Sequence, residues 1–162
     1  MNLRGHYQNG YVTHDLDKAL EIFADRFECN SLQCFDIDVE VTTPAGVRRL
    51  EMRLATGWIG GINIELMQPL SGHVAPLTAM LPEDTGDPVP RFHHMALRRD
   101  DLDEMRAEIA GCGLPVAFSG EPRGMVFAYL DGRSSLGHFL ELVWKEPGGW
   151  EKIGWPEGRP AF

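Results

Sequence analysis

No stretch of the chain approaches the roughly 20 apolar residues of a bilayer span, and the start, MNLRGHYQNG, lacks the apolar run of a signal peptide. A soluble cytoplasmic protein is the expectation. Cysteine is scarce: Cys29, Cys34 and Cys112 are odd in number and show no CxxC spacing. Neither a disulfide framework nor a zinc knuckle is indicated, and the three read as small core-lining or partly exposed thiols. Positive charge is also short, with 15 Lys and Arg against 24 Asp and Glu, a net charge of -9, and no basic stripe. Such a surface repels phosphate backbones and anionic lipid, which argues against nucleic acid and membranes as partners and leaves a small molecule. The 162 residues, 43% of them hydrophobic, suffice for one domain or two small fused modules.

What is present is a repeat. QNGYVTHDLDKAL from Gln8 returns in outline as HMALRRDDLDEMR from His94, aligning Gln8 with His94 and Asp15-Leu16-Asp17 with Asp101-Leu102-Asp103. Downstream, GINIELM from Gly61 matches GHFLELV from Gly137 and aligns Glu65 with Glu141. Each half reads as strand, helix and three strands. The first has strands near 6–13, 33–42, 47–56 and 61–67 and a helix over 15–28, and the second has strands near 92–99, 115–119, 124–130 and 138–145 and a helix over 101–111. Asp101 is a good N-cap with Glu104 at the capping-box position, and Leu16, Leu20, Phe23 and Phe27 form an apolar stripe on the first helix. The expected organisation is a βαβββ module over 6–68, a linker rich in Pro, Gly and acidic residues over 69–90 with a helical turn around 77–81, a second module over 91–146, and an irregular tail over 147–162. The tail's two tryptophans read as padding of a surface or of a dimer contact.

A strand sends successive side chains to opposite faces, which separates the doublet His93-His94 in RFHHMALRRDDLDEM. With Ile62, Ile64, Leu66, Leu140 and Leu142 facing the helices, Asn63, Glu65 and Met67 share the other face in one module, and Phe139, Glu141 and Val143 share it in the other. Met95 and Leu97 go under the second helix with His93, which leaves His94 beside Ala96. Gln8, Glu65, His94 and Glu141 thus fall on the helix-free faces of their sheets. Singly each has an ordinary reading: a solvated or salt-bridged glutamate, a surface amide, a satisfied core histidine. Their matching positions in the repeat favour a shared role. A carboxylate on an apolar strand needs a partner or a metal, and two glutamates, an imidazole and an amide oxygen suit zinc, nickel, cobalt, manganese or iron(II). Arg98 and Arg123 are candidates for binding an anionic group, or for plain solvated surface.

At these residues the chain resembles the vicinal oxygen chelate superfamily of glyoxalase I, methylmalonyl-CoA epimerase, bleomycin-resistance proteins and extradiol dioxygenases. The resemblance spans roughly residues 6–146. The Gln, Glu, His, Glu set looks like that of zinc-type glyoxalase I, and HHMAL with IELMQPLSG looks like the epimerase branch, which reads HHIAF and IELLEPL. It implies an α+β fold of paired βαβββ modules, forming an open cleft-shaped sheet with helices on the outer face, a divalent metal held by Gln8, Glu65, His94 and Glu141, and His93 as the structural member of the doublet. The implied chemistry is that of a metal-dependent isomerase or lyase abstracting a proton next to the carbonyl of a small carbonyl or acyl-thioester substrate, with Glu141 as first choice for the base and Glu65 as second. It also implies a homodimer. The alternative is a non-catalytic drug- or antibiotic-binding protein of the same fold, and after it a ring-cleaving dioxygenase. Two stretches depart from the relatives: LMQPL follows Glu65 where glyoxalase I carries Leu-Thr-His-Asn, and TTPAGV stands where the epimerase branch places an acidic residue before a Gln-Gly-Val turn.

Overall fold

The computed structural model describes residues 1–159; Pro160, Ala161 and Phe162, the end of the tail, lie outside the described residues. The protein is α+β. Its first half runs β1 (His6–Val12), α1 (Leu16–Phe27), β2 (Gln33–Thr43), β3 (Gly46–Ile59) and β4 (Ile62–Gly72). A short helix α2 (Ala75–Thr78) precedes the second half, which runs β5 (Arg91–Arg99), α3 (Leu102–Gly111), β6 (Val116–Gly120), β7 (Met125–Leu130), α4 (Arg133–Leu136), β8 (Phe139–Lys145) and α5 (Gly149–Lys152). Both halves carry the βαβββ order of the repeat. No helix among the described residues is long and apolar enough to cross a membrane.

The chain forms two compact units, one of residues Gln8–Glu40 and Arg48–His93, the other of Met1–Tyr7, Val41–Val47 and the chain from His94 onward. In the first unit β1 runs parallel to β4, and β4 antiparallel to β3. The β3–β4 hairpin closes on Gly60 and Gly61, whose φ of 55° and 85° give the two positive angles of a tight turn that matches strand twist. Pairing therefore starts at Ile59 with Ile62 and continues to Leu50 with Gly72, well beyond the strand limits predicted from sequence. Helix α1 starts where the Asp15 side chain accepts the Lys18 amide at 3.1 Å. Its Leu16 and Ala19 bury against Ala55, Ile64 and Leu66, with Leu20 and Phe23 alongside. Phe27 departs from the expected stripe. It is the helix's last residue and is 64% exposed, its ring resting edge-on against Phe23.

The second unit repeats the arrangement: β5 is parallel to β8, β8 antiparallel to β7, and β7 antiparallel to β6. Asp101 caps α3 by accepting the Glu104 amide at 2.8 Å, and Met105 buries against Leu97, Leu130, Leu140 and Leu142. Arg99 reaches Glu108 through two contacts of 2.6 and 3.1 Å and also donates to the Asn2 and Arg4 carbonyls, which fastens the N-terminal segment to β5 and α3. The described part of the tail packs on this unit through its two tryptophans. Trp150, in α5, is 4% exposed and meets Tyr7 edge-on at 5.1 Å, with Trp155 at 5.3 Å from Trp150. The Arg98 guanidinium lies over both indoles at 4.8 and 4.3 Å while its Nε donates to Asp100. Stacking and that ion pair occupy the cation that the sequence offered as an anion binder. Arg123 is exposed.

Candidate active site

The parallel pairing of first and last strands places the sequence candidates two by two. In the first unit β1 pairs Gln8 with Asn63 and Gly10 with Glu65, so Gln8 and Glu65 share a face two residues out of step. In the second unit β5 pairs His94 with Phe139 and Ala96 with Glu141, the same offset. A small residue stands beside each glutamate in both ladders.

The first pair belongs to a hydrogen-bonded group. Gln8, 6% exposed, donates through Nε2 to Asn63 Oδ1 at 2.8 Å and to Glu65 Oε1 at 3.4 Å. Asn63, 5% exposed, also accepts from Thr56 Oγ1 at 2.8 Å. The second pair has a different character. His94 is fully buried and its Nε2 stands 3.5 Å from Glu141 Oε2. The His94 ring meets Tyr129 edge-on at 5.0 Å, and Tyr129 stacks on Phe118 at 4.4 Å. Phe127 stands edge-on to both rings, and it fits because residue 120 is glycine: a Cβ there would come within 2.6 Å of the Phe127 ring. A carboxylate and an imidazole thus sit on an aromatic floor in a poorly hydrated setting, where charge–dipole interactions gain strength.

The doublet separates as strand alternation requires. His93 is also fully buried, but its Nε2 lies 3.3 Å from the Pro76 carbonyl at α2, within the first unit. Its polar partner is therefore the segment between the modules, where the sequence reading gave it only packing under a helix. Asn63, Thr56, Tyr129 and Phe118 received no role in the sequence reading. Period two does place Asn63 on the Glu65 face, two residues before it, but does not show its partners.

Among the described residues no three His, Cys, Asp or Glu side chains gather into a metal-holding group. The donor chemistry nonetheless fits a divalent cation. Two ligand atoms at zinc-like distances and a tetrahedral angle stand about 3.4 Å apart, and the His94 and Glu141 donors are separated by 3.5 Å.

Comparison with known proteins agrees with this architecture. The family model of the Glyoxalase/Bleomycin resistance protein/Dioxygenase superfamily matches residues 7–129, ending before β8. A hypothetical protein of Bacillus halodurans C-125 is similar at 21% identity and a TM-score of 0.59, over 87% of this chain and 94% of that one. Methylmalonyl-CoA epimerase of Mycobacterium tuberculosis is similar at 21% identity and 0.55, over 91% and 92%. A Streptomyces coelicolor methylmalonyl-CoA epimerase in complex with 2-nitronate-propionyl-CoA is similar at 19% and 0.53, over 89% and 99%. No curated protein matches. With its two βαβββ modules and a family match over most of its length, the chain belongs to the Glyoxalase/Bleomycin resistance protein/Dioxygenase superfamily, the vicinal oxygen chelate proteins.

Proposed function

We propose that the protein is a metal-dependent isomerase or lyase that removes a proton next to the carbonyl of a small carbonyl or acyl-thioester compound. Gln8, Glu65, His94 and Glu141 are its metal ligands and Glu141 is its base. The observation that carries this reading is the His94–Glu141 pair, a buried imidazole and a carboxylate with donors 3.5 Å apart on an aromatic floor. A divalent ion held there supplies Lewis-acid stabilisation of the negative charge that develops on the substrate oxygens. Glu141 takes up the proton and returns it, while the rings of Tyr129 and Phe118 keep water from competing. Glu65, which accepts a hydrogen bond from Gln8, is the second choice for the base.

The fold shared with methylmalonyl-CoA epimerases motivates the acyl-thioester class. The turn at Thr43 argues for exchange through a single base. Its hydroxyl bonds the Gly46 carbonyl and the Ala45 amide, and TTPAG carries no carboxylate. The aromatic floor also suits a non-catalytic binder of apolar molecules, the second reading.

Metal content after purification without chelator, together with deuterium exchange into an acyl-thioester analogue in heavy water, decides between them. Stoichiometric metal and exchange are expected. A metal-free protein that binds an apolar ligand and exchanges nothing overturns the enzyme reading. The homodimer implied by the resemblance is tested by sedimentation, where a monomer alone would remove it.

A further inference from the structure

We propose that Asn63, backed by Thr56, is a positioning residue that, together with Glu65, holds the Gln8 amide with its oxygen end offered to a ligand. The proposal rests on the reading of Gln8 as a ligand given above. A glutamine amide has two ends of nearly equal shape, and only its partners determine whether N or O faces a given direction. Here the partners leave one choice. A carboxylate oxygen only accepts, so the end of Gln8 that lies 3.4 Å from Glu65 Oε1 is the amino end. The same Nε2 lies 2.8 Å from Asn63, which must then present Oδ1, and the Thr56 hydroxyl donates to that oxygen at 2.8 Å. A reversed Gln8 would set its Oε1 against the Glu65 carboxylate and the Asn63 oxygen together. Gln8 and Asn63 are 6% and 5% exposed, so water offers little compensation for a wrong choice.

With both amino hydrogens directed to Asn63 and Glu65, the atom Gln8 has for a ligand is Oε1. That is a hard oxygen suited to a divalent cation, where an N–H end would repel one. The other unit lacks this cradle. At the equivalent place in its ladder His94 is paired with Phe139, whose side chain has no acceptor. The acceptor thus occurs in the unit where an amide has to be oriented.

The test uses Asn63→Leu, which removes the acceptor at similar volume, and Asn63→Asp, which keeps it. Thr56→Val is the milder change should Asn63→Leu fail to fold. The first readout is solvent exchange of the Gln8 side-chain amide protons by NMR, assigned with Gln8→Leu. Exchange should accelerate about tenfold or more in Asn63→Leu and stay near wild type in Asn63→Asp. The second is affinity for Mn²⁺ and for Zn²⁺ in titrations. Affinity should fall about 10- to 100-fold in Asn63→Leu, as for loss of an outer-shell partner, and be retained or raised in Asn63→Asp. Unchanged amide exchange in Asn63→Leu overturns the proposal, and so does faster exchange with unchanged metal affinity. If the wild-type protein binds neither ion, the ligand reading fails separately, and the amide exchange still decides whether Asn63 orients Gln8.

Discussion

His94 and Glu141 lie on adjacent parallel strands, two residues out of step, with their reactive atoms 3.5 Å apart. The neighbouring His93 turns the other way, to the Pro76 carbonyl. His94→Ala should therefore abolish metal binding in titrations with Zn²⁺ or Mn²⁺. His93→Ala should leave affinity within a few-fold and lower stability by about 2 kcal/mol, through a lost hydrogen bond and a cavity. Equal metal loss in the two variants would defeat the assignment.

Glu141→Gln keeps an oxygen of nearly the same shape and removes the basicity. Metal affinity should fall only partly, whereas deuterium exchange next to a bound carbonyl should drop about a hundredfold to ten-thousandfold. Glu65→Gln should lose less exchange for a similar loss of metal. Mass spectrometry of an acyl-thioester analogue in heavy water measures both, and unchanged exchange in Glu141→Gln would remove Glu141 as the base.

The pair Arg99–Glu108 links β5 to α3 and has a predictable acid limb. Burial alone would raise the Glu108 carboxyl, but hydrogen bonds from Arg99 and the Asn2 amide outweigh it and hold the group below the ordinary glutamate range. A group depressed on folding stabilises at pH values above its unfolded pKa, and that stabilisation fades as pH falls through the folded one. Urea midpoints of wild type and Glu108→Gln should thus differ most at neutral pH and converge below about pH 4.3. A constant gap down to strongly acid pH would contradict this.

Trp150 is buried between Tyr7, Trp155 and the Arg98 guanidinium. Trp150→Ala should cost about 3–5 kcal/mol, as large-to-small changes at buried aromatics do. Urea unfolding measures it, and a loss under about 1 kcal/mol would mean that the tail packs without stabilising the unit.

Much of the fold was legible because the repeat sets two kinds of evidence side by side. Asp15 and Asp101 mark helix starts, and period two in INIEL and FLELV assigns faces that the ladders reproduce. The strand ends were less so. Residues 57–59 and 68–72 carry Gly, Pro and polar side chains that weaken a strand pattern, yet the Gly60-Gly61 turn lets the ladder run through them. The surface that the tail's tryptophans cover was not legible, because tryptophan in an irregular stretch has no local signature of its partners; Tyr7 and Arg98 lie far away in sequence. Asn63 was visible on the right face, but its role depends on Thr56, seven residues away, and Gln8, fifty-five away.

The parallel union of each module's first and last strands also has a kinetic meaning. Gln8 meets its partners across 55 and 57 residues, a separation that spans nearly the whole module. Hairpins such as β3–β4 close short loops and form early, while a parallel union of the ends must first meet the entropy of the longest loop available. Assembly of each residue pair is thus tied to completion of its module. A partly folded chain can hold helix and hairpins in place and still lack either pair, so each pair arrives with the last long-range contact of its own module.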